Sequence, residues 1–261
     1  MKGIPPYLNT MYTWVFFVLF LCAAASAYVI GMFPVGLVAA IVVCAILDLA
    51  IKKFVLKRSF SFPASFPSSA LITGIIIGSI APIDAPLAVI FSASVVAIAA
   101  KHMIKLKGRH IFNPATLGLL VALSVFRLGD IWWAASGFNI LGLPLTILLI
   151  FPNWKAGKLK VSIPFLITMA VLYGATGFAS ISLSQAGILA FLAGLPFYFA
   201  CIMISEPKTS PYATKEQVIF GIAVGILVFG LEFSHAKFPY LLGLLLGNLG
   251  FSVYRSLPKK V

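Results

Sequence analysis

The chain has 261 residues, of which 61% are hydrophobic and only 10% are charged, and its mean hydropathy is +1.10. These values exclude an ordinary soluble domain and place the chain in a lipid bilayer. The net charge of +13 does not indicate a nucleic-acid partner, because the basic residues form short clusters between apolar runs, as in the cytoplasmic loops of membrane proteins.

Ten apolar segments predict an all-α polytopic membrane protein with ten transmembrane helices. They run near 11–30, 33–51, 66–81, 85–102, 112–127, 138–152, 161–177, 186–204, 217–232 and 238–254. Several are shorter than the roughly 20 residues that a straight spanning helix needs. Some of the helices are therefore expected to be broken or re-entrant.

The basic residues predict the orientation of these helices. If the N-terminus is inside, all but two of the nineteen lysines and arginines are cytoplasmic, and only Arg127 and Lys237 lie outside. Such a bias over short loops is a strong topological signal. We expect a multi-pass protein of the cell (cytoplasmic) membrane with both termini in the cytoplasm.

The stretch 108–119 combines the end of a basic run with an Asn-Pro step that opens an apolar helix. Proline costs nothing in a first helical turn, because the N–H that it lacks would be unpaired there. Asn113 is well placed to cap that turn through its side-chain oxygen.

A weaker copy of this stretch occurs at 235–245. When Pro114 and Pro239 are aligned, a histidine, the proline, a glycine and three leucines coincide. Five predicted spans separate the two prolines, so their helices would enter from opposite faces of the membrane. The pattern predicts two inverted five-helix repeats, at 1–127 and 128–261, and such folds place their binding sites at broken helices.

Two further stretches are unusually polar for this chain. Residues 65–74 begin the third span with small and hydroxylated side chains, which suit either close helix packing or a site. Residues 205–214 hold two prolines, four serine and threonine hydroxyls and an acid close to a lysine, which predicts a structured cytoplasmic loop or a plain polar turn.

These three stretches resemble the signatures of the NqrB/RnfD family of membrane subunits from Nqr- and Rnf-type electron transport complexes. Phe112–Ala115 with Gly118 resembles the Phe-Asn-Pro-Ala signature, Ser69–Gly74 the third-helix motif, and Glu206–Pro211 with Thr214 the Asp-Pro-x-Thr-Ser-Pro-x-x-Thr signature. The resemblance implies two inverted five-helix repeats and flavin-mediated electron transfer, coupled to movement of Na⁺ or H⁺.

The same resemblance points to non-covalent FMN or riboflavin near the Asn-Pro step. His110 stands where some members have a second asparagine, and Glu206 replaces the family aspartate. A histidine is able to hydrogen-bond a flavin, but an interfacial histidine beside basic residues is an equal alternative. The candidate cofactor-binding residues are His110, Asn113, Pro114, Thr116, Glu206, Lys208, Thr209, Ser210 and Thr214.

The chain departs from the family where flavin is attached covalently. The family threonine esterified to FMN belongs to a Ser-Gly-Ala-Thr motif, but the loop at 128–139 holds no threonine. Thr176 follows a Gly-Ala step but lies one helix pair too late. We therefore expect a short, standalone member without covalent flavin. Trp132 and Trp133 in this loop are expected to be interfacial belt residues.

The remaining reactive residues suggest no catalytic group and no metal site. The three cysteines lie singly in apolar segments, as small buried side chains do. Asp48 precedes Lys52 and Lys53 by one turn, so a local ion pair is expected.

The sequence therefore predicts a flavin-binding electron-transfer subunit. Its partners would be the lipid bilayer and either other electron-transport subunits or a soluble flavin or iron–sulfur oxidoreductase. The alternative is a transporter or channel of inverted-repeat fold for a small solute, flavin among them, and a scaffold subunit without cofactor is a third reading.

Overall fold

The structure is a computed structural model that describes residues 11–57, 66–135, 148–176 and 194–257. The helices are α1 (Met11–Ile30), α2 (Val35–Ala50), α3 (Ser68–Ile80), α4 (Leu87–Met103), α5 (Pro114–Val125), α6 (148–155), α7 (Leu159–Thr176), α8 (Leu195–Tyr198), α9 (Thr214–Phe233) and α10 (Pro239–Ser256). The predicted all-α class is confirmed, apart from one small hairpin of β1 (Lys105–Leu106) and β2 (Arg109–His110) that the sequence did not predict.

The helices have the length and surface of a membrane protein. Four of them, α1, α2 with its continuation, α7 and α9, are long and apolar enough to cross a bilayer, while α3, α4 and α5 are shorter apolar helices. On α9, Ile219, Ile226 and Phe233 are spaced seven residues apart and are 67%, 54% and 58% exposed. An apolar stripe of this kind on an outer face is stable against lipid rather than water.

Two helices end in a π-helical turn. Ile51–Val55 continues α2, and Phe199–Met203 continues α8, where the N–H of Ile204 donates to the carbonyl oxygen of Phe199 at 3.1 Å. A π turn widens the helix and frees backbone groups, and such turns are frequent at functional sites. These turns continue their helices rather than break them, so the expectation of broken or re-entrant helices stays a prediction. The predicted spans at 138–152 and 186–204 begin outside the described residues.

The helices pack as two groups that meet through α5. In the first group α2 lies against α3 and α4, and α4 lies against α5; in the second, α9 lies against α7 and α10. Helix α5 also contacts α10. Buried glycines allow close helix contacts in both groups: a Cβ on Gly118 would lie 2.3 Å from the carbonyl oxygen of Ala93, and one on Gly243 would lie 2.6 Å from Val228.

A buried ion cluster joins α2 to α4. Asp48 is fully buried and bonds Lys52 at 2.6 Å, Lys101 at 3.0 Å and His102 at 2.9 Å. The predicted pair with Lys52 is therefore confirmed. Lys53 instead lies 5.3 Å from the ring centre of Phe54. Several partners are needed here because a lone carboxylate is costly to bury.

The expectation for Trp132 and Trp133 was wrong. Both side chains are buried rather than lipid-facing, at 5% and 3% exposure. The indole N–H of Trp133 donates to the carbonyl oxygen of Gly78 at 2.8 Å, and that of Trp132 donates to Asp130 at 2.7 Å. The segment folds inward because these two bonds give both buried indole N–H groups an acceptor.

We expect Gly118→Ala to destabilise the protein by about 1–3 kcal/mol, because the added methyl group has no room against the backbone of α4. Thermal unfolding in a mild detergent measures this loss. Gly230→Ala is the matched control, since no atom of the described chain lies within 4 Å of a Cβ there. Equal stability of the two variants would contradict the close packing of α4 and α5.

Candidate functional site

The Asn-Pro step begins α5 as predicted. Asn113 has an extended backbone (φ −63°, ψ 120°), and its side-chain oxygen accepts a hydrogen bond from the N–H of Thr116 at 3.1 Å. Pro114 occupies the first turn. Asn113 is only 2% exposed. Because capping uses the amide oxygen, the NH₂ group of Asn113 is the part left to donate to a ligand.

The hairpin before α5 brings the two signature stretches together. Its turn uses Lys107 and Gly108, both with positive φ (50° and 78°), as a two-residue hairpin turn requires. Arg109 on β2 then donates from one terminal nitrogen to the carbonyl oxygens of Pro207 at 2.8 Å and Ser210 at 2.9 Å. Arg109 thus holds the start of the first signature stretch against the second.

A second cation fixes the end of this loop, residues 206–212. The Lys158 ammonium donates to the carbonyl oxygen of Pro211. The ring centre of Tyr212 lies 4.4 Å from the Lys158 ammonium nitrogen and 4.5 Å from the central guanidinium carbon of Arg109. Burial, with a smaller contribution from the nearby Arg109 charge, lowers the pKa of Lys158 to about 8. The sequence indicated neither contact, because the partners are about 50 to 100 residues apart.

Within the loop, the hydroxyls of the second signature serve the loop itself. The Thr209 hydroxyl donates to the Glu206 carboxylate at 3.0 Å, and the Ser210 hydroxyl donates to the Glu206 carbonyl oxygen at 2.7 Å. Desolvation raises the pKa of Glu206 above its ordinary value, while the Thr209 bond and the charges of Lys208 and Lys101 oppose that rise.

A cavity lies where the two stretches meet. It is bounded by α1, α3, the start of α5, α6 and the end of α8 with the loop that follows, and its volume is about 70 Å³, or about 670 Å³ when its open mouth is included. The polar residues lining it are Ser69, Thr73, Asn113, Asn153, Ser205 and Glu206. All three signature stretches thus contribute to one cavity.

The candidate binding residues divide into two groups. Asn113, Pro114 and Glu206 line the cavity. The other candidates are not among the residues that line it: His110, Thr116, Lys208, Thr209, Ser210 and Thr214. Thr214 lies on the exposed surface, where its hydroxyl oxygen accepts a hydrogen bond from the Lys160 ammonium at 2.9 Å. A binding role for each of the nine residues stays a prediction.

Asn153 on α6 lines the cavity but was not predicted. It is 2% exposed, and its amide nitrogen donates to the Ser162 hydroxyl at 2.6 Å. Its amide oxygen has no partner among the described residues. A lone asparagine before a basic run carries no sequence signal, so only the fold could reveal it.

The sequence model of the NQR2, RnfD, RnfE family matches residues 6–137. The chain belongs to this family. The match includes Ser69–Gly74 and the Asn113 motif but ends before Glu206–Thr214. No curated protein matches the chain. Family membership and the apolar helices together make this protein a membrane subunit of the Rnf/Nqr type.

The burial of His110 predicts that the stability of the folded protein depends on pH. Its ring is buried, and desolvation, with the nearby charges of Lys208 and Lys105, lowers its pKa from 6.5 to about 4. Between these values the unfolded chain binds a proton that the folded chain does not, so stability should fall as the pH falls from about 6.5 to about 4, by ~1–3 kcal/mol. Thermal unfolding in a non-ionic detergent across this range measures the loss.

His110→Asn should remove this part of the pH dependence, because the amide does not titrate. The control is His235→Asn, which changes an exposed histidine whose backbone is left-handed (φ 55°), a conformation that asparagine tolerates. The control should keep the wild-type slope. An unchanged slope in His110→Asn would contradict the assignment.

Proposed function

We propose that the protein is a flavin-binding electron-transfer subunit that holds FMN or riboflavin non-covalently in the cavity beside Asn113 and Glu206. One observation supports this most directly. The Phe112–Ala115 and Glu206–Pro211 stretches meet at a single cavity, and Arg109 bonds the second stretch at Pro207 and Ser210, which are 98 and 101 positions further along the chain. A chance likeness of either stretch would not place them together.

The donors at the cavity suit the polar edge of a flavin ring. That edge carries two carbonyl oxygens and an N–H, and the Asn113 NH₂ group is a buried donor for a carbonyl. Small-molecule sites commonly enclose about 300–1,000 Å³. The cavity volume of about 70 Å³ is smaller than this, so the proposal places only the edge of the ring in the cavity as described, and binding of the whole ring would have to separate the cavity walls.

The surroundings favour negative charge on a bound carbonyl. Asn113 is at the N-terminus of α5, where the helix dipole places roughly half a positive charge. The raised pKa of Glu206 favours its neutral form, which reduces repulsion. When bound, a flavin supplies the electron-transfer chemistry, and the protein's part is to bind the ring, orient it and stabilise the charge it gains.

We propose further that the chain forms ten spans in two inverted repeats, 1–127 and 128–261. Pro114 and Pro239 both occupy the first turn of a helix, and the glycine four residues later packs tightly on the preceding helix in each half. The contacts of α2 with α4 and of α4 with α5 have counterparts in those of α7 with α9 and of α9 with α10. The halves differ at the cap, because Phe238 is left-handed (φ 65°) and has no side-chain cap bond.

The cavity opens beside the basic loops, which the orientation proposal assigns to the cytoplasm. Electrons would arrive there from a soluble flavin or iron–sulfur oxidoreductase or from other electron-transport subunits, in a complex that moves Na⁺ or H⁺. Residues 136–139 of the loop at 128–139, where the family attaches flavin covalently, lie outside the described residues, so non-covalent binding rests on the missing threonine in the sequence of that loop.

The flavin proposal predicts a separation of two roles of Asn113. Asn113→Asp keeps the oxygen that caps α5 but replaces the NH₂ donor, so flavin affinity should fall about tenfold or more with stability nearly unchanged. Asn113→Leu removes both, so affinity should fall roughly ten- to a hundredfold and stability by about 1 kcal/mol. Quenching of riboflavin and FMN fluorescence on titration with purified protein measures the affinity.

The control for these variants is Asn248→Leu, which makes the same change at a fully buried asparagine of α10 outside the cavity lining. It should bind flavin as the wild type does. A purified protein that neither contains nor binds flavin would refute the proposal. Colourless protein that moves a small solute across vesicle membranes would favour the transporter.

The orientation proposal predicts which surface positions an impermeant thiol reagent reaches. Cysteines placed at the exposed Lys105 and Lys155 should be unreactive in intact cells and reactive after lysis, whereas one at the exposed Lys237 should react in intact cells. Lys158 is unsuitable because it is 1% exposed. The native cysteines Cys22, Cys44 and Cys201 are buried, so the unmodified chain is the blank. The reverse labelling pattern would invert the orientation.

A further inference from the structure

Asn153 presents an unpaired acceptor at the cavity. The residue is 2% exposed, it lines the same cavity as Asn113, and its amide oxygen has no partner among the described residues. Leaving a buried acceptor unpaired costs about 1–3 kcal/mol, so most such groups in folded proteins have a partner. An unpaired acceptor in a cavity wall therefore points to a ligand that donates.

The orientation of this amide follows from its neighbour. A hydroxyl has one hydrogen to donate, and Ser162 donates its hydrogen to the carbonyl oxygen of Ala200. The Ser162 oxygen must then accept from Asn153, which it does from the amide nitrogen at 2.6 Å. Exchanging the amide oxygen and nitrogen would bring two acceptors together at Ser162. The NH₂ group is thus committed to Ser162, and the oxygen is the atom left for a ligand.

We propose that Asn153 is a specificity-determining residue of the cavity and accepts a hydrogen bond from an imide N–H of the bound ligand. Asn113 offers a donor and Asn153 an acceptor, so together they recognise an edge that carries a carbonyl next to an N–H. The pyrimidine edge of a flavin has this pattern, whereas a quinone offers carbonyl oxygens alone. The inference rests on the proposed flavin function and deepens it.

The experiment compares riboflavin with riboflavin methylated on its imide nitrogen, using the purified full chain and fluorescence quenching. The wild type should bind the methylated compound at least about tenfold more weakly, since one buried hydrogen bond is lost. Asn153→Ala removes the acceptor and makes room for the methyl group. It should bind riboflavin about tenfold more weakly than the wild type and should bind both compounds equally.

Two further variants separate recognition from folding. Asn153→Asp keeps an acceptor oxygen, so it should retain the preference for the N–H compound even if it is less stable. Asn248→Ala, at the buried asparagine outside the cavity lining, should keep the full wild-type preference.

The outcomes distinguish the two proposals. Equal binding of both compounds by the wild type, or an unchanged preference in Asn153→Ala, overturns the role of Asn153 and leaves flavin binding intact. A wild-type protein that binds neither compound overturns the proposed function and this inference together.

Discussion

The cavity depends on the two hydrogen bonds from Arg109 to the loop at 206–212. They join a residue just before α5 to a segment about a hundred positions later, and so help to hold Glu206 at the same cavity as Asn113. One guanidinium nitrogen has two hydrogens, so it is able to serve both carbonyl oxygens, of Pro207 and Ser210, at once. The second support is Lys158, which bonds Pro211 and, like Arg109, lies over the Tyr212 ring.

The surroundings of the cavity show how a membrane protein treats buried polar groups. In the ion cluster, Asp48 has three partners, and the indole N–H groups of Trp132 and Trp133 each have one acceptor. These bonds are needed because unpaired groups away from water are expensive. Other buried side-chain atoms of the described residues also lack a partner, both amide atoms of Asn248 among them, but of these residues Asn153 is the one that lines the cavity.

Close helix packing supplies the rigid wall on which the site is built. Gly118 is part of the Phe-Asn-Pro-Ala signature, and its missing side chain lets α5 approach the backbone of α4. The cap at Asn113 therefore begins a helix whose position is set by Gly118, four residues after Pro114. In the second half, Gly243 likewise follows the helix-starting proline, Pro239, by four residues, and it lets α10 approach α9. The signature thus combines a capping residue, a helix-starting proline and a packing glycine.

The sequence by itself determined the features that depend on composition and on neighbouring residues. The membrane class, the all-α fold, the helix that begins at Pro114, the Asn113 cap and the Asp48–Lys52 pair all follow from interactions within one turn or from the average apolar character of a segment. The family resemblance, which the match over residues 6–137 confirms, also indicated that the second signature belongs near the first. Only the tertiary structure decided the contacts that span long separations: the bonds of Arg109, the inward fold of Trp132 and Trp133, and the place of Asn153 in the cavity wall. The physical reason is that a single side chain has the same local chemistry whether it faces lipid, a loop or a cavity, and its partner is chosen only when distant helices pack.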